Sequence, residues 1–536
     1  MSATSTISIT PINTTPSLCL NDIFEGIAHK AGAVLLDTCG STKSNGRYNI
    51  MVWEPHATVT AKHGGAVQVK INSDCASNSI CDNSSSDVSE ADIKSNSNKR
   101  GSETFSTRLA PFEAVKQYLH NPVAKLEIPE QYQSLAKQLP FIVGVAGFAG
   151  YDTGRYYEQL PENTPNTYST PDFSVGLYLS SLIEDTVTGV IYFCSANGET
   201  TPPYFVTQPT IGFIGNTDAA DHINLAAKGG KDAKSPKDVK EAQGEDTYKT
   251  PFSLTGDWQS NLTKDAYLTC IEKIHRYLIA GDCYQVNMAQ RFTAPYSGDC
   301  WPAYCALRQS NQAPFSAYIQ LENSTILSIS PERFISVKNG VVETKPIKGT
   351  RPRFADKAED DNSAQSLLDA PKDRAENLMI VDLLRNDLSK HCKPHSVKVP
   401  ELFALESYEA VHHLVSTVVG ELSENATPLD LLASSFPGGS ITGAPKIRAM
   451  EIIDELEVHR RNIYCGSIFY MGFREDMDSS ICIRTLLAEN NLLHCWAGGG
   501  IVLDSVASEE YKETLDKVSK ILPVLSSRFG VDCEQN

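Results

Sequence analysis

At 536 residues with 41% hydrophobic content, the chain has enough apolar sequence for a large packed core, which excludes a protein disordered throughout. Its 65 acidic against 47 basic residues leave a formal net charge of −18, which argues against nucleic acid or an anionic membrane as a partner, because both reward Lys and Arg. The 14 cysteines are scattered with no C-x-x-C pair, no apolar run approaches bilayer length, and the first 21 residues contain no Lys or Arg, so an untargeted, soluble, cytoplasmic chain with reduced thiols is expected.

In chain order, "GRYNIMVW", "PFIVGVAGFAGY" and "FSVGLYLSSLIEDTVTGVIYFC" read as strands and make residues 1–215 a β-rich N-terminal part. It is interrupted near 72–104 by a Ser-, Asn- and Asp-rich stretch that reads as a disordered insertion. Residues 216–257, with "KGGKDAKSPKDVKEAQGED", read as a low-complexity linker or insertion, and 258–526 as a catalytic part of mixed pattern. There Thr263 can cap a helix whose Tyr267, Ile271, Ile274 and Leu278 share one stripe, stopped by Gly281. Asn339-Gly340 is a two-residue hairpin signal between "FISVK" and "VVETKPI". A helix follows over "DRAENLMIVDLLRNDLSK", then a Gly-rich loop leading into a helix at "FPGGSITGAPKIRAMEIIDELE" that opens on Pro445. A strand pair around "IFYMGFREDMDSSICIRTLL" and one final helix from Ser508 complete the chain. With no internal repeat and no regular βαβ alternation, the expected class is α+β, a large layered β-sheet sandwich with helices outside.

Several of these elements carry residues suited to chemistry. The hairpin brings Glu332 into one strand and Lys348 out of the other at the same end, an acid and an amine suited to acid/base or nucleophilic work, although a lysine at a turn is ordinarily a solvated one. Asp373 and Glu376 share a helix face with Ile380, which fits either a ligand site or acids placed against a helix N-terminus. Glu509, Glu510 and Glu513 flank the apolar stripe of the last helix and read equally as solvated, with Glu513 paired to Lys517. Were Glu376 and Glu513 to meet, two protein oxygens with substrate and water would suit Mg2+. "PGGSITGAPK" fails the phosphate-loop spacing because Ala444 follows Gly443, and Gly498, Gly499 and Gly500 fit either close backbone approach to a ligand or a tight turn. His412 and His413 precede an apolar run, where a hydrogen-bonded core histidine is the commoner outcome. Arg484, read inside the strand "SICIRTLL", needs an anion, because an unpaired buried cation is costly.

Taken together and in order, "SPERF", "PIKGT", "DRAENLMIVDLLRND", "HHLVS", "FPGGSITGAPK", "CGSI", "IRTL", "AGGGIV" and "EEYKETLDK" resemble the chorismate-binding enzymes of the anthranilate synthase component I family. The resemblance covers residues 258–525 and reaches into the N-terminal part through "LLDTCG", "GRYNIMVWEP" and "GFAGYDTGRYYE". It implies that Lys348 marks the branch that aminates chorismate at C4, since the C2-aminating branch has alanine there, and that Gln285, where water-adding members have lysine, disfavours isochorismate formation. It implies further that Glu332 protonates the leaving hydroxyl, Lys348 is a transient nucleophile, and His413 lines the site. Thr442, Tyr470, Arg484 and the Gly498, Gly499 and Gly500 backbone would grip the substrate, while Glu376 and Glu513 hold Mg2+. Thr38, Arg47, Tyr48, Pro314, Phe315 and Ser316 would form a tryptophan-binding site, where Thr38 replaces the usual serine. Phe469, where relatives often have glycine, would narrow the space beside Tyr470. No cysteine has the G-x-C-x-G setting of a glutaminase nucleophile, so ammonia would come from a separate glutamine amidotransferase subunit. The alternatives are anthranilate formation, or a non-catalytic tryptophan-sensing subunit, against which the intact Glu332, Lys348, Glu376 and Glu513 set argues.

Overall fold

The structure, a computed structural model, describes residues 6–12, 18–40, 46–72, 93–98, 102–207, 250–408 and 411–530. Among them, two antiparallel sheets of thirteen strands each face one another, with helices outside. This is the expected α+β layered sandwich. No helix among the described residues is long and apolar enough to cross a membrane.

Strand alternation builds the layers. Val34 and Ile50 point into the core between the sheets, while their neighbours Leu35 and Met51 point the other way, into a second core under the Trp301–Asn311 helix. A third cluster seats the Lys264–Ala280 and Lys446–Leu456 helices on Val286 and Met288 of the strand Gln285–Ser297. The first of these helices is as expected: the Thr263 hydroxyl accepts from the Ala266 N–H, Tyr267, Ile271 and Ile274 are buried, and Gly281 ends it in the left-handed region at φ +79°.

Both sequence parts contribute to both sheets. Val34–Asp37 pairs with Phe315–Gln320, and Gly144–Ala149 pairs with Ser467–Gly472. The polar stretch expected as an insertion is described in part: Ile93–Asn98 and Ser102–Thr107 pair as strands at the sheet edge, while 73–92 and 99–101 lie outside the described residues. Of the expected linker, 216–249 also lies outside them, and the chain is described again from Thr250, with short strands at Ser253–Leu254 and Gln259–Ser260.

Four local expectations differ. Pro445 is the N-cap of the Lys446–Leu456 helix, one position before its first residue. The last helix is two, Ala507–Val518 and Leu522–Phe529. Gly498, Gly499 and Gly500 lie within the strand Leu492–Ile501 and form no turn. Arg484 stands in the break between Met477–Ile481 in one sheet and Thr485–Glu489 in the other, at φ +51°, where the chain must change sheets.

Candidate active site

The strand Ser324–Ser330 ends at Pro331, and Glu332 follows with its backbone held by the Ser330 hydroxyl and the Ile481 N–H. Its carboxyl is buried, and burial pushes it up to about 7, against the opposing pull of Lys348, the Ser440 hydroxyl and Lys517. Asn339 and Gly340, at φ +51° and +75°, make the tight hairpin that the sequence signals. The returning chain then crosses to Ile347–Pro352, which pairs with Val411–Glu421. Between Lys348 and Thr350 the register shifts by a bulge centred on Gly349, at φ +76°. A Cβ at Gly349 would meet Leu367 Cδ1 at 2.7 Å and Asp373 Cγ at 2.9 Å, so glycine lets the Pro371–Ser389 helix approach beside Lys348.

Lys348 and Glu332 meet on one residue. Lys348 Nζ donates to the Ser440 carbonyl at 3.4 Å, and the Ser440 hydroxyl donates to Glu332 Oε1 at 3.4 Å. Ser440 sits in the Gly439–Ile441 turn of the Gly-rich loop, which is fixed from outside. Asn287 N–H donates to the Thr442 carbonyl at 2.8 Å, and Arg461 donates to the Ile441 carbonyl at 3.1 Å while ion-paired to Glu457. Nothing local in the sequence marks Glu457 or Arg461, and for Ser440 the only signal is its place within "PGGSITG".

The acidic helices converge on the same place. Glu376, one turn into its helix, is raised by burial and by Asp373 and Glu510, with Lys348 and Lys372 pulling it down. Glu510 is buried, accepts from the Ser505 hydroxyl at 2.6 Å and pairs with Lys372 at 3.5 Å. Glu513 pairs with Lys517 at 2.6 Å as expected; burial pushes its carboxyl up, but Lys517, Lys372 and Lys348 hold it below the ordinary range. Asp373 is taken by Arg351 at 3.0 Å. Glu510 and Glu513 reach over Gly499, where a Cβ would meet their oxygens at 3.0 and 3.6 Å. Among the described residues no three His, Cys, Asp or Glu side chains form a metal-holding group by themselves. The convergent donors are carboxylate oxygens, the type that suits a hard cation completed by substrate and water, with Lys372 and Lys517 paired to two of them.

On the inner face of the same strand, Gly498 and Gly500 leave room for Ala289 and for the Gln285 side chain. Gln285 is fully buried, and its amide oxygen and nitrogen have no hydrogen-bond partner among the described residues. Burial lowers Arg484 from its ordinary value, and no carboxylate reaches its guanidinium among the described residues. An anionic ligand would complete it. The Thr442 hydroxyl, expected on the substrate, donates to the Gly438 carbonyl at 3.0 Å. His413 pairs across strands with Thr350 and its Nδ1 lies 2.9 Å from that hydroxyl, while His412 is the core histidine, held by Asp360 and Ser407.

Tyr470 is not brought to this group. Alternation along Ser467–Gly472 sends its ring toward Phe141, Arg333 and Asp478, into a separate cavity of about 880 Å³. The same cavity is lined by Thr38, Arg47, Tyr48, Pro314, Phe315 and Ser316, so all six residues expected to form one pocket do so. The Thr38 hydroxyl donates to Asn49 Oδ1 at 2.9 Å, Arg47 is bound to Asp185, and Arg333 stacks on Phe315 at 5.1 Å. Phe469 buries its ring against Phe112.

The family model described as chorismate binding enzyme matches residues 74–523. Aminodeoxychorismate synthase component 1 of Escherichia coli (strain K12) is 48% identical over 389 residues, covering 73% of this chain and 78% of that one. The protein of the same name from Klebsiella aerogenes is 41% identical over 505 residues, covering 94% and 96%. Among solved structures, anthranilate synthase component I from Streptococcus pneumoniae TIGR4 matches with a TM-score of 0.65 at 27% identity, over 90% of this chain and 93% of that one.

Proposed function

Since the chain belongs to the family of chorismate-binding enzymes, we propose that it aminates chorismate at C4 to give 4-amino-4-deoxychorismate, using ammonia delivered by a glutamine amidotransferase subunit. The observation that carries this reading is the meeting of Lys348 and Glu332 on Ser440, supported by relatives named for this product at 41–48% identity. The relatives' designation as component 1 supports a second subunit.

Arg484 binds one substrate carboxylate, and the glycines at 498–500 let Glu510 and Glu513 close on one side of the strand and Gln285 on the other. Thr442 contributes through the loop it closes. The neutral Lys348 amine forms a bond to the ring as the C4–O bond breaks, and Glu332 gives its proton to the departing hydroxyl, which leaves as water. The proton on the new Lys348–ring nitrogen returns to Glu332. Ammonia then bonds to C4 while the Lys348–ring bond breaks, and ammonia's surplus proton passes to the departing amine. The enolpyruvyl group is untouched. Mg2+, with Glu376 and Glu513 as protein ligands, would neutralise the ring carboxylate. His413, held by Thr350 two positions beyond Lys348, borders the site.

The second cavity is the proposed tryptophan site, with the Arg333–Phe315 stack and Tyr48 as aromatic walls. The cysteines among the described residues are all unpaired, which supports a reducing compartment, the cytoplasm.

Incubating the purified chain with chorismate, Mg2+ and either ammonium or glutamine tests the proposal. 4-Amino-4-deoxychorismate from ammonium but not from glutamine is expected. Anthranilate as the product would overturn the C4 assignment, and glutamine-driven turnover by the pure chain would overturn the need for a partner.

A further inference from the structure

Ser440 touches both reacting groups, and each contact uses a different atom. Its hydroxyl donates to Glu332 Oε1 and its carbonyl accepts from Lys348 Nζ, both at 3.4 Å. It is itself buried, in a loop held by Asn287, by Arg461 and by the Thr442 hydroxyl. At Gly439, one residue earlier, a Cβ would run into the Leu383 side chain, so the turn lies directly on the Pro371–Ser389 helix that also carries Glu376. The loop therefore has little freedom to move Ser440 relative to either group.

We propose that Ser440 is a positioning residue for the Glu332–Lys348 pair: its hydroxyl orients the carboxyl that protonates the leaving group, and its carbonyl aims the attacking amine. The inference rests on the functional reading above. An N–H of Lys348 donated to the carbonyl directs the nitrogen lone pair away from the loop. A hydroxyl donated to Oε1 fixes one carboxyl oxygen and leaves the other for the proton. That donation also favours the charged form of Glu332, so the hydroxyl restrains the upward push of burial. The other charged or titratable groups facing Glu332 are Lys348 and Lys517, whose fields also favour the carboxylate, and the buried Cys465 thiol.

The test is kcat against pH for the full chain with chorismate, Mg2+ and a fixed, saturating concentration of free ammonia, comparing wild type, Ser440→Ala and Ser440→Thr. Ser440→Ala is expected to lower kcat by roughly tenfold or more, the order of loss expected when a reacting group is misplaced, while KM for chorismate changes little. The bend near pH 7 that Glu332 sets should move to higher pH, because the donor favouring ionised Glu332 is gone, and Ser440→Thr should restore the bend by keeping the hydroxyl. A bend near pH 7 in Ser440→Ala that coincides with wild type, or a Ser440→Thr bend displaced as in the alanine variant, would overturn the proposal. The wild-type product is identified in the same reactions. A different product with the same displaced bend would overturn the functional reading and leave the role of Ser440 standing.

Discussion

Burial holds the Glu332 carboxyl at about 7, against an ordinary value of 4.5, and this sets the direction of the pH dependence. Below about 7 the folded protein carries a proton that the leaving hydroxyl can take, and above it that proton is lost by a decade per pH unit. At fixed free ammonia, kcat/KM for chorismate should therefore stop rising or begin to fall as pH passes 7, and Glu332→Gln, which has no acidic proton, should lose roughly 10²- to 10⁴-fold. A rate that keeps rising through pH 8 under those conditions would rule out Glu332 as the acid. Lys348 admits a sharper distinction. If it only held a substrate carboxylate, Lys348→Arg would retain the charge and much of the activity, whereas arginine stays protonated and cannot attack. Both Lys348→Arg and Lys348→Ala should lose most product formation while still binding chorismate with Mg2+, and trapping should place substrate-derived mass on the wild-type peptide containing Lys348. Near wild-type turnover by the arginine variant, without an adduct, would leave Lys348 as an electrostatic clamp.

At the scale of elements, what was legible in the sequence was what short-range pattern encodes. Asn339-Gly340 announced the hairpin, Thr263 and Gly281 announced the ends of a helix, and the i, i+3 spacing put Asp373 and Glu376 on one face. What was not legible depends on partners distant in sequence. The three glycines at 498–500 read equally as close backbone approach to a ligand or as a tight turn, because the side chains that need the room lie outside the motif: Glu510 and Glu513 crowd one side of that strand and Gln285 the other. Tyr470 is expected among the substrate contacts but faces the second cavity, since nothing local says which side of its strand its ring takes. Gly349 shows the same dependence and gives a test. Its φ of +76° and its close approach to Leu367 and Asp373 mean that Gly349→Ala must displace the helix that carries Glu376. Backbone strain of this kind costs on the order of 1–3 kcal/mol, so a lowered Tm together with reduced kcat is expected, and an alanine variant with wild-type Tm and kcat would show that the bulge does not set the site.

Across the whole molecule, the two sequence parts share their sheets, and the second cavity shows what that arrangement makes possible. Thr38, Arg47 and Tyr48 come from the N-terminal part, while Phe315, Arg333 and Tyr470 come from the C-terminal part, so a ligand there contacts both. Strand geometry also ties this cavity to the reacting groups: Arg333 points into it toward Asp478, and Glu332, the residue before, reaches Ser440. A ligand that binds the folded chain alone stabilises it by mass action, by about 2.7 kcal/mol at a hundred times its Kd. L-Tryptophan should therefore raise Tm progressively with concentration. The rise should persist in Glu376→Gln, because Glu376 faces Lys348, Lys372 and Glu510 and does not line the cavity, and it should shrink in Phe315→Ala, which removes the platform under Arg333. A Tm unmoved by tryptophan would remove that ligand from the cavity. A shift abolished by Glu376→Gln but kept by Phe315→Ala would place the tryptophan at the acidic helices instead.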